Sequence, residues 1–135
     1  MKAESRFVDV ADGGLHVHDT GGDGPAVLLC HAFTGDATSW AGQMPALAAA
    51  GYRAVSYGRR GAGRSSPPGT AVPQSADAIA VLDALGIGDF HVVGIAGGGA
   101  TALDLALVHP RRVLGVVVAC SMMGFDDPAV KARLA

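Results

Sequence analysis

An α/β fold with a mostly parallel sheet and helices on both faces is predicted by three features of the sequence. Short apolar or alternating runs recur along the chain, at Ala26–Cys30, Tyr52–Tyr57, Phe90–Val93 and Val113–Cys120. Stretches of helical periodicity about ten residues long separate them, which is the signature of βαβ units. Half of the 135 residues are hydrophobic and only 16% are charged, a composition that fits a buried, layered core and excludes a disordered tail.

The elements follow in order. Phe7-Val8-Asp9-Val10 and Leu15-His16-Val17-His18 alternate with period two around Ala11-Asp12-Gly13-Gly14, which predicts a β-hairpin. Gly21 to Pro25 is a turn cluster, and Ala26–Cys30 is continuously apolar, as a strand covered on both faces should be. A helix is expected from about Thr38 to Ala50, ended by Gly51. After the strand Tyr52–Tyr57, residues 58 to 73 form a loop rich in Gly, Arg, Ser and Pro. Ala76, Ile79, Leu82 and Leu85 have helical spacing and predict a helix over Ser75–Leu85 that stops at Gly86. The strand Phe90–Val93 turns sharply into a mostly apolar helix ending near His109-Pro110, and Val113–Cys120 is the last strand. Asp126-Asp127-Pro128 reads as the start of another helix. No repeat, low-complexity segment or second domain is visible.

Net charge is -2, without a basic stripe, which argues against a nucleic-acid surface. The N-terminus mixes Lys2, Glu4, Arg6 and Asp9 with apolar residues and does not read as a signal peptide. The apolar run Val113–Cys120 is too short to span a bilayer. Two cysteines make no disulfide framework, so Cys30 and Cys120 are expected to be buried free thiols, and a cytoplasmic location is the default. No metal or cofactor is expected.

The chemistry concentrates at Gly94-Ile95-Ala96-Gly97-Gly98. A strand enters, a helix leaves, and glycines lie two residues to either side of a central position. This is the G-x-S-x-G elbow with alanine at its centre. Side chains at Gly94 and Gly98 would clash with the neighbouring strand and helix, and the helix N-terminus offers N–H groups and a positive dipole end to an oxyanion. A competing pattern, G-x-G-x-x-A over Gly97–Ala102, is that of a dinucleotide fingerprint. It wants an acidic residue at the end of the next strand, where Cys120 and Ser121 stand, and normally follows the first strand of its domain.

The elbow, together with Leu28-Leu29-Cys30-His31-Ala32-Phe33, Gly58-Arg59-Arg60-Gly61-Ala62-Gly63-Arg64-Ser65 and the helix residues Trp40, Gln43, Pro45 and Leu47, resembles the α/β-hydrolase superfamily. The first segment looks like its apolar strand followed by His-Gly-x, the second like its D-x-R-G-x-G-x-S loop. The resemblance runs from Phe7 to Ser121. It implies a strand order 1-2-4-3-5-6, with residues 1–135 forming the N-terminal part of one domain and the sheet's last two strands not included. It also implies an esterase-like or lactonase-like hydrolase in which Ala96 fills the nucleophile position. The backbone N–H groups of Phe33 and Gly97 would form the oxyanion hole, and His31 would support that loop. Ser121 lies at the strand end where a pocket would open and reads more simply as a loop residue. His16, His18, His91 and His109 are expected to be structural or solvated, and Arg59, Arg60 and Arg64 to be solvated.

Three departures bear on activity. Ala96 carries no nucleophile. Ala32 stands where the family has glycine, which could disturb the oxyanion loop. Gly58 replaces the loop aspartate. With no late histidine to act as base, the sequence points to a catalytically silent homologue, a pseudoenzyme. The alternatives are a fragment or serine-removed variant of an ester or lactone hydrolase, and a serine-free enzyme of proton-transfer or rearrangement chemistry. A small ester-like ligand is expected. Without a neighbour, Val113–Cys120 would be an apolar edge strand, so a homodimer or a C-terminal partner pairing along it is expected.

Overall fold

In a computed structural model, which describes residues 3–69, 72–121 and 132, six strands form one sheet in the order β1-β2-β4-β3-β5-β6. This is the strand order implied by the resemblance. β1 (Glu4–Val10) and β2 (Gly13–Asp19) form the antiparallel hairpin, with Val10 opposite Gly13 across the tight turn. β2 joins β4 (Arg53–Tyr57) in antiparallel fashion, and β3 (Ala26–Cys30), β4, β5 (Phe90–Ile95) and β6 (Val113–Ala119) are parallel. The expected helix starting at Asp126 lies outside the described residues.

Alternation along the central strand divides the core in two. Ala26, Leu28 and Cys30 face α2 (Gln74–Ala84) and α3 (Gly97–Val108), against Ala78, Val81, Leu82, Ala102 and Leu105. Val27 and Leu29 face the other way, towards Met44, Trp40 and Leu47. All five residues of β3 are buried, as a continuous apolar run in a strand covered on both faces requires. At the sheet end away from the elbow, Arg53 donates to both carboxylate oxygens of the buried Asp19, at 3.0 and 2.7 Å, tying β4 to β2.

The single helix expected over Thr38–Ala50 is two pieces. A 3₁₀ helix spans Ala37–Trp40, and α1 spans Met44–Ala49. Asp36 starts the first piece: its carboxylate accepts from Thr38 N at 2.7 Å, while Ser39 Oγ accepts from Asp36 N. Pro45 explains the restart. Proline has no N–H to give to a preceding turn and fits only the first turn of a helix, where α1 places it.

β6 forms one edge of the described sheet. α3 covers part of it, yet Leu114 and Val117 are each 57% exposed. Cys30 is buried, and its burial pushes the thiol up to about 12. Cys120, expected to be buried, is exposed, because it lies beyond the end of this edge strand with a left-handed backbone at φ 49°. Both thiols are free, and β5 runs between their strands.

Candidate active site

Ala96 stands at the apex between β5 and α3 with φ 52° and ψ -117°. An L-residue pays for such a backbone with strain of about 1–3 kcal/mol, and it persists only where the surroundings over-determine it. Here they do. A Cβ on Gly94 would lie 2.1 Å from the carbonyl oxygen of Gly98, and one on Gly98 would lie 2.1 Å from that of Cys30. Strand and helix therefore approach as closely as bare backbone permits. The turn is also tied from β6: Ala96 N donates to Ala119 O at 3.0 Å, and the Ala96 carbonyl accepts from Gly99 N and from Ser121 Oγ, each at 2.9 Å.

The rim opposite is the loop after β3. Phe33 is 76% exposed, and its ring lies over Gly97, so closely that a Cβ there would come within 2.6 Å of it. The amides of Phe33 and Gly97 take no part in the backbone hydrogen bonds of the described turns, and Gly97 is the first residue of α3. Two such donors near one apex, one of them at a helix N-terminus, suit developing negative charge on an oxygen. Ala32 does not have a positive φ, so the loop accepts its Cβ without the backbone penalty expected at a glycine position.

His31 lies behind this loop and is buried. Its Nδ1–H donates to Ala32 O at 2.5 Å, and its Nε2 accepts from Arg59 N at 3.0 Å. That pattern requires the neutral ring, and burial pushes the imidazole below its ordinary value. With both nitrogens engaged, it links the two loops and has no lone pair for a substrate. His16 is buried in the hairpin, where Nε2 meets Ser5 Oγ at 2.7 Å and the ring packs on Phe7 and His18. Ser121, considered as a pocket residue, spends its hydroxyl on the elbow backbone and packs against Gly99.

The loop after β4 is held from inside. Ser65 Oγ donates to Gly58 O at 2.7 Å and accepts from His16 N at 2.9 Å. A side chain on Gly58 would come within 2.9 Å of that hydroxyl. Arg60, expected to be solvated, has a side chain only 5% exposed, because it pairs with the buried carboxylate of Asp77 at 2.7 Å. Sequence reasoning missed this ion pair and the Asp36 cap. The acidic residue in the first turn of α2 was the available signal for the former, and Asp36 three residues before Ser39 for the latter. Among the described residues no cluster of three His, Cys, Asp or Glu could hold a metal, and no helix is long and apolar enough to cross a membrane.

A doubly wound sheet, a strained strand-to-helix elbow and a facing loop of free amides define the class. The model of the alpha/beta hydrolase fold family matches residues 25–135, and the chain belongs to that family. An epoxide hydrolase of Caballeronia sordidicola is 42% identical over 114 residues, which cover 80% of this chain and 35% of that protein. A putative carbamate hydrolase RutD of Variovorax paradoxus is 42% identical over 100 residues, 71% of this chain and 38% of its own length. In structure, a Vigna radiata epoxide hydrolase mutant superposes with a TM-score of 0.82 at 32% identity, over 95% of this chain and 42% of that one. The chain thus spans little more than a third of the length of these curated relatives. Their names speak of epoxides and carbamates, rather than the esters or lactones suggested by the motifs.

Proposed function

We propose that this chain is the elbow-bearing, N-terminal part of a hydrolase domain, keeping the oxyanion-binding rim but carrying out no covalent hydrolysis by itself. One observation carries the reading: the apex that should present the attacking atom presents the methyl group of Ala96. Covalent hydrolysis of an ester, a carbamate or an epoxide begins with attack by a side-chain oxygen or sulfur, and a methyl group has neither. Nor does a base stand ready, since His31 has both nitrogens engaged and His16 lies within the hairpin. What remains is binding. The amides of Phe33 and Gly97 would hold the oxygen of a small ester-, carbamate- or epoxide-like ligand.

The reading includes two further elements. Cytoplasmic residence is supported by the two unbridged cysteines. Pairing along β6, by a second copy of the chain or by a C-terminal partner, is supported by the exposed edge at Leu114 and Val117. An apolar groove of about 440 Å³ between Leu29, Trp40, Leu47 and Val93 extends the uncovered surface onto the opposite face of the sheet.

The test is hydrolysis of p-nitrophenyl acetate and of styrene oxide by the 135-residue chain. Neither a burst nor turnover above buffer is expected, and the same holds for Ala96→Ser, because a serine hydroxyl without its base is a weak nucleophile at neutral pH. A stoichiometric burst from the unaltered chain overturns the proposal.

A further inference from the structure

Beside the rim, a cavity of about 410 Å³ opens between Phe33, the Arg59–Ala62 turn, Pro68 and Gln74. Its polar lining is unusual in being unsatisfied. Arg59 Nε, Arg60 Nη1 and Gln74 Oε1 are all buried, and none has a hydrogen-bond partner. Buried polar atoms are nearly always paired, and an unpaired one costs about 1–3 kcal/mol, so three of them around one space call for a ligand group.

The charges indicate which kind. Arg60 is neutralised by Asp77, with its Nε and Nη2 on the two carboxylate oxygens, which leaves Nη1 directed elsewhere. Arg59 has no carboxylate partner among the described ion pairs, and its guanidinium stacks on the Phe33 ring, 4.3 Å from the centroid. Burial, the largest influence on it, lowers the Arg59 guanidinium from its usual value, as expected of a cation withdrawn from water without a counter-ion. The main chain of Arg59 is fixed by its N–H on His31, and the guanidinium by its stacking on Phe33.

We propose that this cavity is a carboxylate-binding subsite, in which Arg59 Nε and Arg60 Nη1 donate to a ligand carboxylate and Gln74 accepts from a neighbouring hydroxyl or amide of the same ligand. A planar carboxylate matches the guanidinium donors, and Phe33, Pro68 and Val72 supply apolar walls for the ligand's carbon skeleton. The subsite is separated from the elbow by a single aromatic ring, since Phe33 touches Arg59 on one side and Gly97 on the other. A short acid held here therefore extends past Phe33 towards residue 96. The assignment does not depend on Ala96 being silent, because the cavity and its donors lie in different loops.

Benzoate is the probe, with benzyl alcohol as its uncharged counterpart, each titrated by calorimetry into the 135-residue chain. Benzoate is expected to bind and benzyl alcohol to bind at least tenfold more weakly, roughly the factor carried by one charge-assisted hydrogen bond. Arg59→Met keeps the stem that covers Phe33 and removes the donors. It should weaken benzoate binding roughly tenfold or more while leaving the thermal midpoint near that of the parent. Three outcomes overturn the subsite: no benzoate binding by the parent chain, equal affinity for the alcohol, or unchanged benzoate affinity in a folded Arg59→Met protein. Should Arg59→Met not fold, Arg59→Lys decides through the same calorimetry, since a point charge without the planar fork is expected to lower benzoate affinity, and full affinity in that variant overturns the assignment.

Discussion

The two ends of β5's neighbourhood are built to different standards. At the elbow, backbone meets backbone at distances only glycine permits, and both the N–H and the C=O of Ala96 have partners. One strand away, the outer edge of β6 presents Leu114, Val116, Val117 and Val118 to solvent. The elbow, whose central residue carries no reactive group, keeps its geometry to the last contact, while β6 has no second strand beside it among the described residues. Packing, and not the side chain at position 96, therefore dictates the elbow's shape.

The largest expected effect comes from breaking that packing. Gly98→Ala puts a Cβ against the carbonyls of Cys30 and His31, neither of which can move without shifting β3. A loss of about 3 kcal/mol is expected, read as a lower urea midpoint by circular dichroism. An unchanged midpoint would show the elbow to be looser than described.

Ala96→Gly sharpens the comparison from the other side. At φ 52° and ψ -117° the substitution relieves strain, against a smaller entropic cost from a freer unfolded chain. A net gain of about 1 kcal/mol is expected in the same denaturation experiment; a loss would mean that the methyl group contributes packing at the apex.

Acid acts on the loops behind the rim and leaves the edge alone. His16 and His31 are both held below the ordinary 6.5, first of all by burial, so the unfolded chain binds protons that the folded chain refuses. Their contribution is complete above about pH 6.5 and is lost as pH falls from there through the folded values. The urea midpoint should be lower at about pH 5.5 than at about pH 7.5, and a flat profile over that interval would remove both histidines from the account.

The smallest effect on stability, under about 0.5 kcal/mol, is expected from Val117→Lys, whose side chain is already exposed. Its effect on assembly should be large. Light scattering of the parent chain is expected to show association along β6, and the lysine should shift it to monomer. A parent that stays monomeric at high concentration would leave the edge without a role.

The sequence and the structure agree where one physical rule dominates. β3 is legible because only a strand covered on both faces is apolar at five successive positions, and the elbow because its glycines mark steric exclusions. The strand order came with the family resemblance; periodicity alone could not supply it. The split of the first helix was written in Pro45, but the apolar periodicity across Ala41–Gln43 hid it. Arg60 was misjudged as solvated because its partner Asp77 lies 17 residues away, beyond a loop whose path the composition does not specify. Cys120 was misjudged as buried because an apolar strand does not reveal whether its outer edge is covered. The unsatisfied trio of Arg59, Arg60 and Gln74 was out of reach for the same reason, since it arises from three-dimensional proximity alone.

The strained apex has an implication for how such proteins change. Its hydrogen bonds run through the main chain of Ala96 and involve no side-chain atom of that residue. The turn's hydrogen bonds are therefore the same whichever short side chain stands at position 96. A short nucleophilic side chain could be placed at or removed from this position with the main-chain bonds of the turn unchanged, so chemistry here is an exchangeable part mounted on a fixed bracket.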